Sequence, residues 1–346
     1  MHDASAVRTR SLPVRLVLAL AALVLGGGLL AACGSEPEPA PAGGGGGGTS
    51  GGAFPVTVPH KYGQTEVPAA PQRVVSLGYT DQDAILALGV VPVGIREFTG
   101  NQPSATWPWA QNRLGGAQPQ VLAQGEVSTE QIAALRPDLI IGISAGLTQA
   151  QYDTYSQIAP TIAGPAGFVD YGTPWQDATR MTGQALGKQA EADKLVSDLE
   201  ARIAQTKAQF PQLDGKTVAG VRPSTASQSE YFVWGPQDLR ARFFSALGMR
   251  GVPAFDQNAG DQFYGSLSTE QLGQLDQADV VVLITSSEAE RTAFQSQPGY
   301  PALQVVQENR VVTLDDTEAA ALSFSSVLSL PSVLDTLPKK LAAAAS

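Results

Sequence analysis

The sequence predicts an α/β fold of two lobes joined by a long α-helix, and three observations carry that expectation. The first is a repeated stretch: Val127-Ser128-Thr129-Glu130-Gln131-Ile132 recurs as Leu267-Ser268-Thr269-Glu270-Gln271-Leu272, 140 positions later. Each copy leads into an apolar run, Asp138-Leu139-Ile140-Ile141 and Asp279-Val280-Val281-Val282-Leu283. The spacing is too wide for a solenoid and suits two lobes of similar build. The second is that short apolar runs alternate with helical patterns, which implies parallel strands with right-handed crossovers. The third is length, since 346 residues exceed what one core usually covers.

The expected organisation is a leader at 1–32, a tether at 33–53, a first lobe at 54–172, connecting helices at 173–212 and a second lobe at 213–346. Composition is globular, 43% apolar and 16% charged, with a formal charge of −10. Removing residues 1–32 makes the remainder about −12. No basic stripe is visible, and an acidic body argues against nucleic acid, whose phosphates need clustered Lys and Arg. Two histidines, His2 and His60, and one cysteine, Cys33, exclude most metal sites and most His-based catalysis.

Arg8, Arg10 and Arg15 precede an apolar run from Leu16 to Leu30, too short for a comfortable membrane span. The run ends in Leu30-Ala31-Ala32-Cys33-Gly34, which resembles a bacterial lipoprotein signal, in which the Cys is lipidated and becomes the new N-terminus. Cys33 has no disulfide partner, which favours lipidation. The next residues, GSEPEPAPAGGGGGGTSGG, cannot bury apolar surface and read as a disordered tether with a reach of about 25 Å. The expectation is an exported body held near a membrane.

In the first lobe, Phe54 to Val67 reads as a small hairpin and Arg73-Val74-Val75-Ser76-Leu77 as a buried strand. Thr80 is placed to cap a helix carrying Ile85, Leu86 and Leu88, which Gly89 stops. Val90 to Ile95 is a second strand. The repeated helix and the Leu139 strand follow, and Thr148 opens a helix with Tyr152, Tyr155 and Ile158. In such sheets ligands collect at the carboxyl ends of strands. The long stretch from Arg96 to Trp107-Pro108-Trp109 follows one such end. Two Trp separated by Pro in a loop offer a flat aromatic wall with Arg96 nearby, suited to a planar or bulky ligand. They could also close a small satellite core beneath the loop.

Gly142-Ile143-Ser144-Ala145-Gly146 matches the nucleophile elbow of serine hydrolases and lies between a strand and a helix. That chemistry needs a base beside Ser144. His60 precedes it in the N-terminal hairpin, and no histidine follows. A lipid-anchored hydrolase is the rival of another class, and the glycines serve a tight turn at least as well.

The connector opens at Thr173-Pro174-Trp175-Gln176, with Thr as N-cap, Pro at the first helical position and Gln three residues after the cap. Ala190 to Phe210 then carries Leu195, Leu199 and Ile203 at every fourth position, with Glu191, Asp193, Lys194 and Asp198 on the other face. Such a spine leaves little room for wide hinge closure. In the second lobe, Lys216 to Val221 and Glu230 to Trp234 read as strands, followed by a helix from Gln237 to Leu247. The Val280 run, a helix near Glu288–Ser296, a strand at Arg310–Leu314 and a terminal helix through Leu334 and Leu337 complete it. Arg222, Tyr231, Trp234 and Tyr264 are its candidates to face a cleft opposite Arg96, Trp107 and Trp109. Each of them suits a core position equally well.

Together these stretches resemble the periplasmic-type substrate-binding lipoproteins of iron–siderophore ABC importers. The likeness covers about residues 70 to 340. It rests on Arg73 to Leu77 with Ala87-Leu88-Gly89-Val90, on Gln102-Pro103 through Trp107-Pro108-Trp109-Ala110, and on Ser128-Thr129-Glu130 with Leu135-Arg136-Pro137-Asp138. In the second lobe it rests on Phe263-Tyr264 with Ser268 and Glu270, and on Leu322-Ser323-Phe324 with Leu328-Ser329-Leu330-Pro331.

The resemblance implies two Rossmann-like α/β lobes joined by a long α-helix, with the ligand cleft between the lobes and no catalysis. A ferric siderophore would be held by aromatic and arginine side chains, here Arg96, Trp107, Trp109, Arg222, Tyr231, Trp234 and Tyr264. It would arrive already chelated, so no cofactor or protein metal site is expected. One acidic residue per lobe, Glu130 and Glu270, would dock onto the ABC importer permease subunits. Independently of the family, Ser128 and Ser268 read as N-caps with Gln131 and Gln271 completing capping boxes. Both Glu then fall where the helix dipole favours a carboxylate by about 0.3–1 kcal/mol. The chain is expected as a monomer tethered through Cys33 to the outer side of the cytoplasmic membrane. The nearest alternative ligands are haem or a cobalamin.

Overall fold

The computed structural model describes residues 52–227, 229–285 and 287–346. The expected leader, Cys33 and nearly all of the tether lie outside the described residues. Strands β1 (Val56–His60) and β2 (Gly63–Val67) form the expected antiparallel hairpin, paired from Val56 with Val67 to His60 with Gly63.

The first lobe is built on five short strands: β3 (Val74–Ser76), β4 (Gly94–Arg96), β5 (Gln120–Leu122), β6 (Leu139–Gly142) and β7 (Thr161–Ala163). All pair in parallel, in the order β5-β4-β3-β6-β7. Helices α1 (Asp81–Ala87), α2 (Pro108–Gln111), α3 (Thr129–Ala134) and α4 (Gln149–Ser156) run between them. Successive side chains along a strand point to opposite faces. Val74, Leu139 and Ile141 accordingly pack with Ile85 and Leu88, while Val75 and Ile140 pack with Leu122, Ile132 and Leu135. Burial on both faces explains why these strands read as continuous apolar runs.

The connector consists of α5 (Trp175–Ala185) and α6 (Gln189–Gln209). The first begins one residue later than expected. Pro174 occupies its cap position and no side chain caps it, so Thr173 is not the N-cap. The second has 21 residues and is about 31 Å long. Its Ala192 belongs to the first lobe's core, its Leu199 and Ile203 to the second lobe's, and Leu195 packs against both. The spine joins the lobes by being part of each core.

The second lobe carries β8 (Thr217–Pro223), β9 (Glu230–Trp234), α7 (Leu239–Ala246), β10 (Arg250–Gly251), α8 (Pro253–Ala259) and β11 (Tyr264–Ser268). A 3-10 helix at Thr269–Gln277 leads to β12 (Val280–Leu283), α9 (Glu288–Gln295), α10 (Gln304–Gln307), β13 (Val311–Thr313), α11 (Asp316–Phe324) and α12 (Leu330–Ala344). The sheet order is β11-β9-β8-β12-β13, with β10 beside β8. Here the sheet is mixed, because β9 runs antiparallel to both β8 and β11. The connection from Pro223 to Glu230 is too short for the crossover that parallel pairing requires.

The repeated stretch occupies equivalent places but not identical ones: the first copy is an α-helix and the second a 3-10 helix. Ser268 accepts from the Glu270 N–H at 3.1 Å, and Gln271 returns a bond to the Ser268 N–H at 3.1 Å, closing the expected capping box. Ser128 accepts from the Gln131 N–H at 3.3 Å, but its hydroxyl turns to the Glu130 carboxylate at 2.6 Å. Among the described residues, no helix is long and apolar enough to cross a membrane.

Candidate functional site

A cleft of about 580 Å³ opens between the lobes. Its first-lobe wall comes from Phe98, Thr99, Gly100, Gln102, Trp107 and Gln124. These residues follow the carboxyl ends of β4 and β5. The opposite wall is formed by Arg222 at the end of β8, Ile284 and Thr285 after β12, Arg240 on α7, and one face of α11 including Asp316 and Ser323. The position beyond the strands' carboxyl ends is the one that open α/β sheets offer a ligand.

The loop from Glu97 to Trp107 is held in an unusual conformation. Asn101, Ser104 and Ala105 all have left-handed backbones, with φ of 46°, 55° and 49°. Gly100, at φ 87°, lies so close to Trp107 that a Cβ there would come within 2.4 Å of the indole. The Trp107 Nε1 donates to the Thr99 carbonyl at 3.0 Å, closing the loop on itself. Left-handed non-glycine residues persist only where the surroundings over-determine them, and they cluster at ligand clamps.

Behind this wall runs a continuous file of aromatic rings. Trp107 stacks on Trp109 with centroids 5.3 Å apart and planes within 4°. Trp109 meets Phe324 edge-on at 5.1 Å, and Phe324 contacts Phe98 at 5.3 Å. Phe98 stacks on Tyr79 at 4.8 Å, and Tyr79 on Tyr171 at 5.5 Å. The file passes through both lobes, because Phe324 belongs to α11 and the other rings to residues 79–171.

Arg240 is a firmly built cation of the cleft. Its guanidinium makes two bonds to the buried carboxylate of Asp238, at 2.9 and 2.6 Å, and lies 4.5 Å above the Trp234 ring. Asp238 also caps α7 by accepting from the Arg240 N–H at 2.8 Å. The bidentate geometry fixes the side chain before any ligand arrives.

The sequence profile described as periplasmic binding protein matches residues 74–318, which is most of the chain. The chain belongs to the periplasmic binding protein family. It is 28% identical over 270 residues to the Fe(3+) dicitrate-binding periplasmic protein FecB of Escherichia coli (strain K12), covering 78% of this chain and 85% of that protein. Its fold superposes on a periplasmic solute binding protein of Mycobacterium smegmatis with a TM-score of 0.77. That pair shares 35% identity, with 84% of this chain and 99% of the other covered. A second structure, Streptococcus pneumoniae PiaA in complex with ferrichrome, gives a TM-score of 0.73 at 25% identity, covering 84% and 98% of the two chains. The two-lobed α/β architecture expected from the sequence is the architecture of this family.

Of the residues singled out in the sequence of this periplasmic binding protein, Trp107 and Arg222 line the cleft. Trp107 is only 6% exposed, so little of its ring is open to the cleft. Trp109 stands one layer behind, its Nε1 donating to Asp83 at 2.9 Å, so the satellite-core reading holds for that ring. Arg96 lines a neighbouring hollow of about 220 Å³ together with Tyr155 and Tyr171. Its guanidinium lies 4.3 Å over Tyr79 and donates to the Gln124 carbonyl at 3.1 Å and the Tyr79 hydroxyl at 3.0 Å. It thereby supports a cleft residue, Gln124.

Three second-lobe expectations are corrected. Tyr231 is 0% exposed and packs with Val233 and Phe294 on the sheet face away from the cleft. Its hydroxyl donates to the Gln271 carbonyl at 3.1 Å, and burial pushes its pKa up. Trp234 is 5% exposed, stacked on Phe244 in the core that includes α6. It lies flat on Gly220, where a Cβ would come within 1.7 Å of the indole. Trp234 acts on the cleft only through Arg240. Tyr264 is 47% exposed on the edge strand β11, against Phe232, and does not line the cleft.

His60 is engaged elsewhere and is not hydrogen-bonded to Ser144. Ser144 is buried, and its N–H donates to the Asp81 carboxylate at 3.0 Å. The Thr80 hydroxyl donates to its oxygen at 3.2 Å, which is why Thr80 does not cap α1. His60 accepts from the Tyr62 N–H through Nδ1, so its Nε2 carries the proton toward Thr65 at 2.9 Å. Among the described residues, no group of three or more His, Cys, Asp or Glu side chains converges on a common metal position. A larger groove, about 750 Å³, runs between α5, α6 and α7. Two of its ionic side chains, Arg180 and Lys207, are engaged in exposed pairs with Asp193 and Asp214, and no first-lobe strand end reaches it. The cleft that both lobes line is therefore the candidate site.

Proposed function

We propose that this chain is a solute-binding protein that captures a ferric siderophore in the interlobe cleft and hands it to the permease of an ABC importer. The observation that carries this reading is the cleft itself: aromatic rings, carboxamides and hydroxyls with two arginines and one carboxylate and, among the described residues, no convergent metal ligands. Such a lining suits iron that is already chelated and needs only shape, apolar contact and hydrogen bonds. Relatives that take Fe(3+) dicitrate and ferrichrome support the same cargo class. The chain performs no chemistry on the cargo. We place Phe98, Gln102, Trp107, Gln124, Arg222 and Arg240 in contact with it, and assign permease docking to Glu130 and Glu270. The leader and Cys33 would export the protein and tether it through lipid to the outer side of the cytoplasmic membrane, as a monomer.

The test is a titration of tryptophan fluorescence, since Trp107 lines the cleft. Ferric siderophores are expected to quench it saturably, and haem and cyanocobalamin are not. Saturable quenching by haem or cobalamin alone would replace this reading. Ester turnover abolished by Ser144→Ala would replace it with the hydrolase.

A further inference from the structure

The charges around the cleft are distributed very unevenly. The six first-lobe residues named above that line it include no ionisable side chain. Arg96, the cation closest in sequence, is turned into the neighbouring hollow and bonded to the Leu77 and Gln124 carbonyls. The second-lobe wall carries Arg222, Arg240 and one lining carboxylate, Asp316, and a second carboxylate, Asp238, holds Arg240 in a bidentate pair. Two positive and two negative groups leave the wall with no net charge.

The helix end that faces the cleft is also already compensated. Asp315 caps α11 by accepting from the Glu318 N–H at 2.9 Å, and Asp316 and Glu318 occupy its first turn. Three carboxylates sit at that N-terminus; Glu318 is paired with Lys340, and Asp315 and Asp316 take up the positive end of the dipole that an anion would otherwise use. The whole chain carries a formal charge of −10, so the long-range field also disfavours an anion.

From this geometry we infer that the cleft selects a ferric chelate of zero net charge, of the trihydroxamate type, over tris-catecholate and citrate chelates. The inference rests on the proposed function and names its substrate class. Ferric iron is neutralised by three hydroxamates, each a monoanion, and the product is uncharged. Three catecholates, each a dianion, leave a trianion, and citrate chelates are likewise anionic. Moving a trianion out of water into a wall with no surplus cation forfeits its hydration without a compensating pair. A neutral chelate needs only what the cleft provides: arginine donors to its partly negative oxygens, the Gln102 and Gln124 amides, and the Phe98 and Trp107 rings. Likeness to relatives does not decide the matter, because those named above take a citrate chelate and ferrichrome.

The experiment titrates the full chain with ferrichrome, ferric citrate and a ferric tris-catecholate by fluorescence quenching, at low and at physiological ionic strength. Ferrichrome is expected to bind at least about a hundredfold more tightly than the tris-catecholate. Its affinity is expected to change less than about twofold with salt. Asp316→Asn, which leaves the wall with one surplus positive charge, should shift the affinity ratio toward the trianion by about tenfold. Tightest binding to the catecholate or citrate chelate, or equal affinity for all three, overturns the charge inference and leaves the siderophore function standing. Binding of haem or cobalamin with no response to any ferric chelate overturns the function itself.

Discussion

The Ser326 hydroxyl donates to the Asp83 carboxylate, a buried bond between the two lobes directly behind the aromatic wall. The same carboxylate oxygen accepts from the Trp109 Nε1 at 2.9 Å, and Trp109 is the ring on which Trp107 stacks. One side chain therefore ties a second-lobe loop to a first-lobe ring. Phe324, two residues before Ser326, sits between Phe98 and Trp109. Separating the lobes would break a buried charge-assisted bond, unstack these rings and bend α6, whose Leu195 packs into both cores. Loading of the cleft is accordingly expected to proceed with small rearrangements rather than wide hinge closure.

Asp83 makes stability depend on pH in a direction that can be worked out. Burial pushes its carboxyl from 3.8 up to about 6, against the bonds from Ser326 and Trp109 that hold it down. An acid with a raised folded pKa binds its proton more readily folded than unfolded. Its contribution is therefore most favourable below about 3.8 and is lost as pH climbs through 6. Asp83→Asn keeps an oxygen for both donors and removes the titration. Urea unfolding should show the variant gaining on the natural protein between pH 4 and 7, by up to about 3 kcal/mol. Asp81, also raised to about 6, is common to both proteins and cancels. Parallel stability curves would contradict this account of Asp83.

The two kinds of aromatic residue can be separated by substitution. Trp107→Ala removes a lining ring and its stack on Trp109, and should weaken ferric siderophore binding by about 1.5–3 kcal/mol, roughly ten- to a hundredfold. Tyr231→Phe removes only the bond to the Gln271 carbonyl, and should cost about 1 kcal/mol of stability. Its siderophore affinity should stay within about twofold of the natural protein's. A comparable loss of affinity in both variants would return Tyr231 to the cleft.

Gly220 tests how rigid the second lobe is beneath Arg240. It lies on β8, central in its sheet, with the Trp234 indole flat against it. A methyl group 1.7 Å from that ring requires the strand or the indole to move. Gly220→Ala is expected to destabilise the protein by about 2–4 kcal/mol, read as a lower urea midpoint. Arg240 stacks on the same indole, so siderophore affinity should fall as well. An unchanged midpoint would show that Trp234 is free to shift.

The parts of the fold legible in the sequence are those whose burial is continuous. Val74-Val75, Leu139 to Ile141 and Val280 to Leu283 read as strands because both faces are covered. The edge strands β5 and β7 have three residues each, too few to show a period. Helix α11 escapes notice because most of it is buried, leaving no polar face to alternate with. In the site, Trp107 stands out because two Trp around a Pro fit no regular element. Arg240 does not, since its partner Asp238 is only two residues away and the bidentate pair is a matter of side-chain geometry. Tyr231 reads as a cleft residue because the phase of a strand cannot be fixed until its neighbours on each face are known. The pairing of Tyr231 with Leu267 and Pro223 assigns it to the far core.

Glu130 and Glu270 lead to the last expectation. Both are exposed, and neither lines the cleft. The Ser128 hydroxyl donates to the Glu130 carboxylate and lowers its pKa, which favours the ionised form. The Glu270 N–H is tied to Ser268 at 3.1 Å, which fixes the backbone from which that carboxylate projects. Two fixed anions, one per lobe, suit docking onto two basic patches at once, where the second contact gains from the first. Glu130→Ala with Glu270→Ala should lower siderophore-dependent iron uptake by about tenfold or more, with each single change intermediate. Titration of the purified double variant should give a siderophore affinity within about twofold of the natural protein's. Weakened ligand binding in that titration would move these residues out of a docking role, and unimpaired uptake would show that the repeated acidic turn is only a helix start.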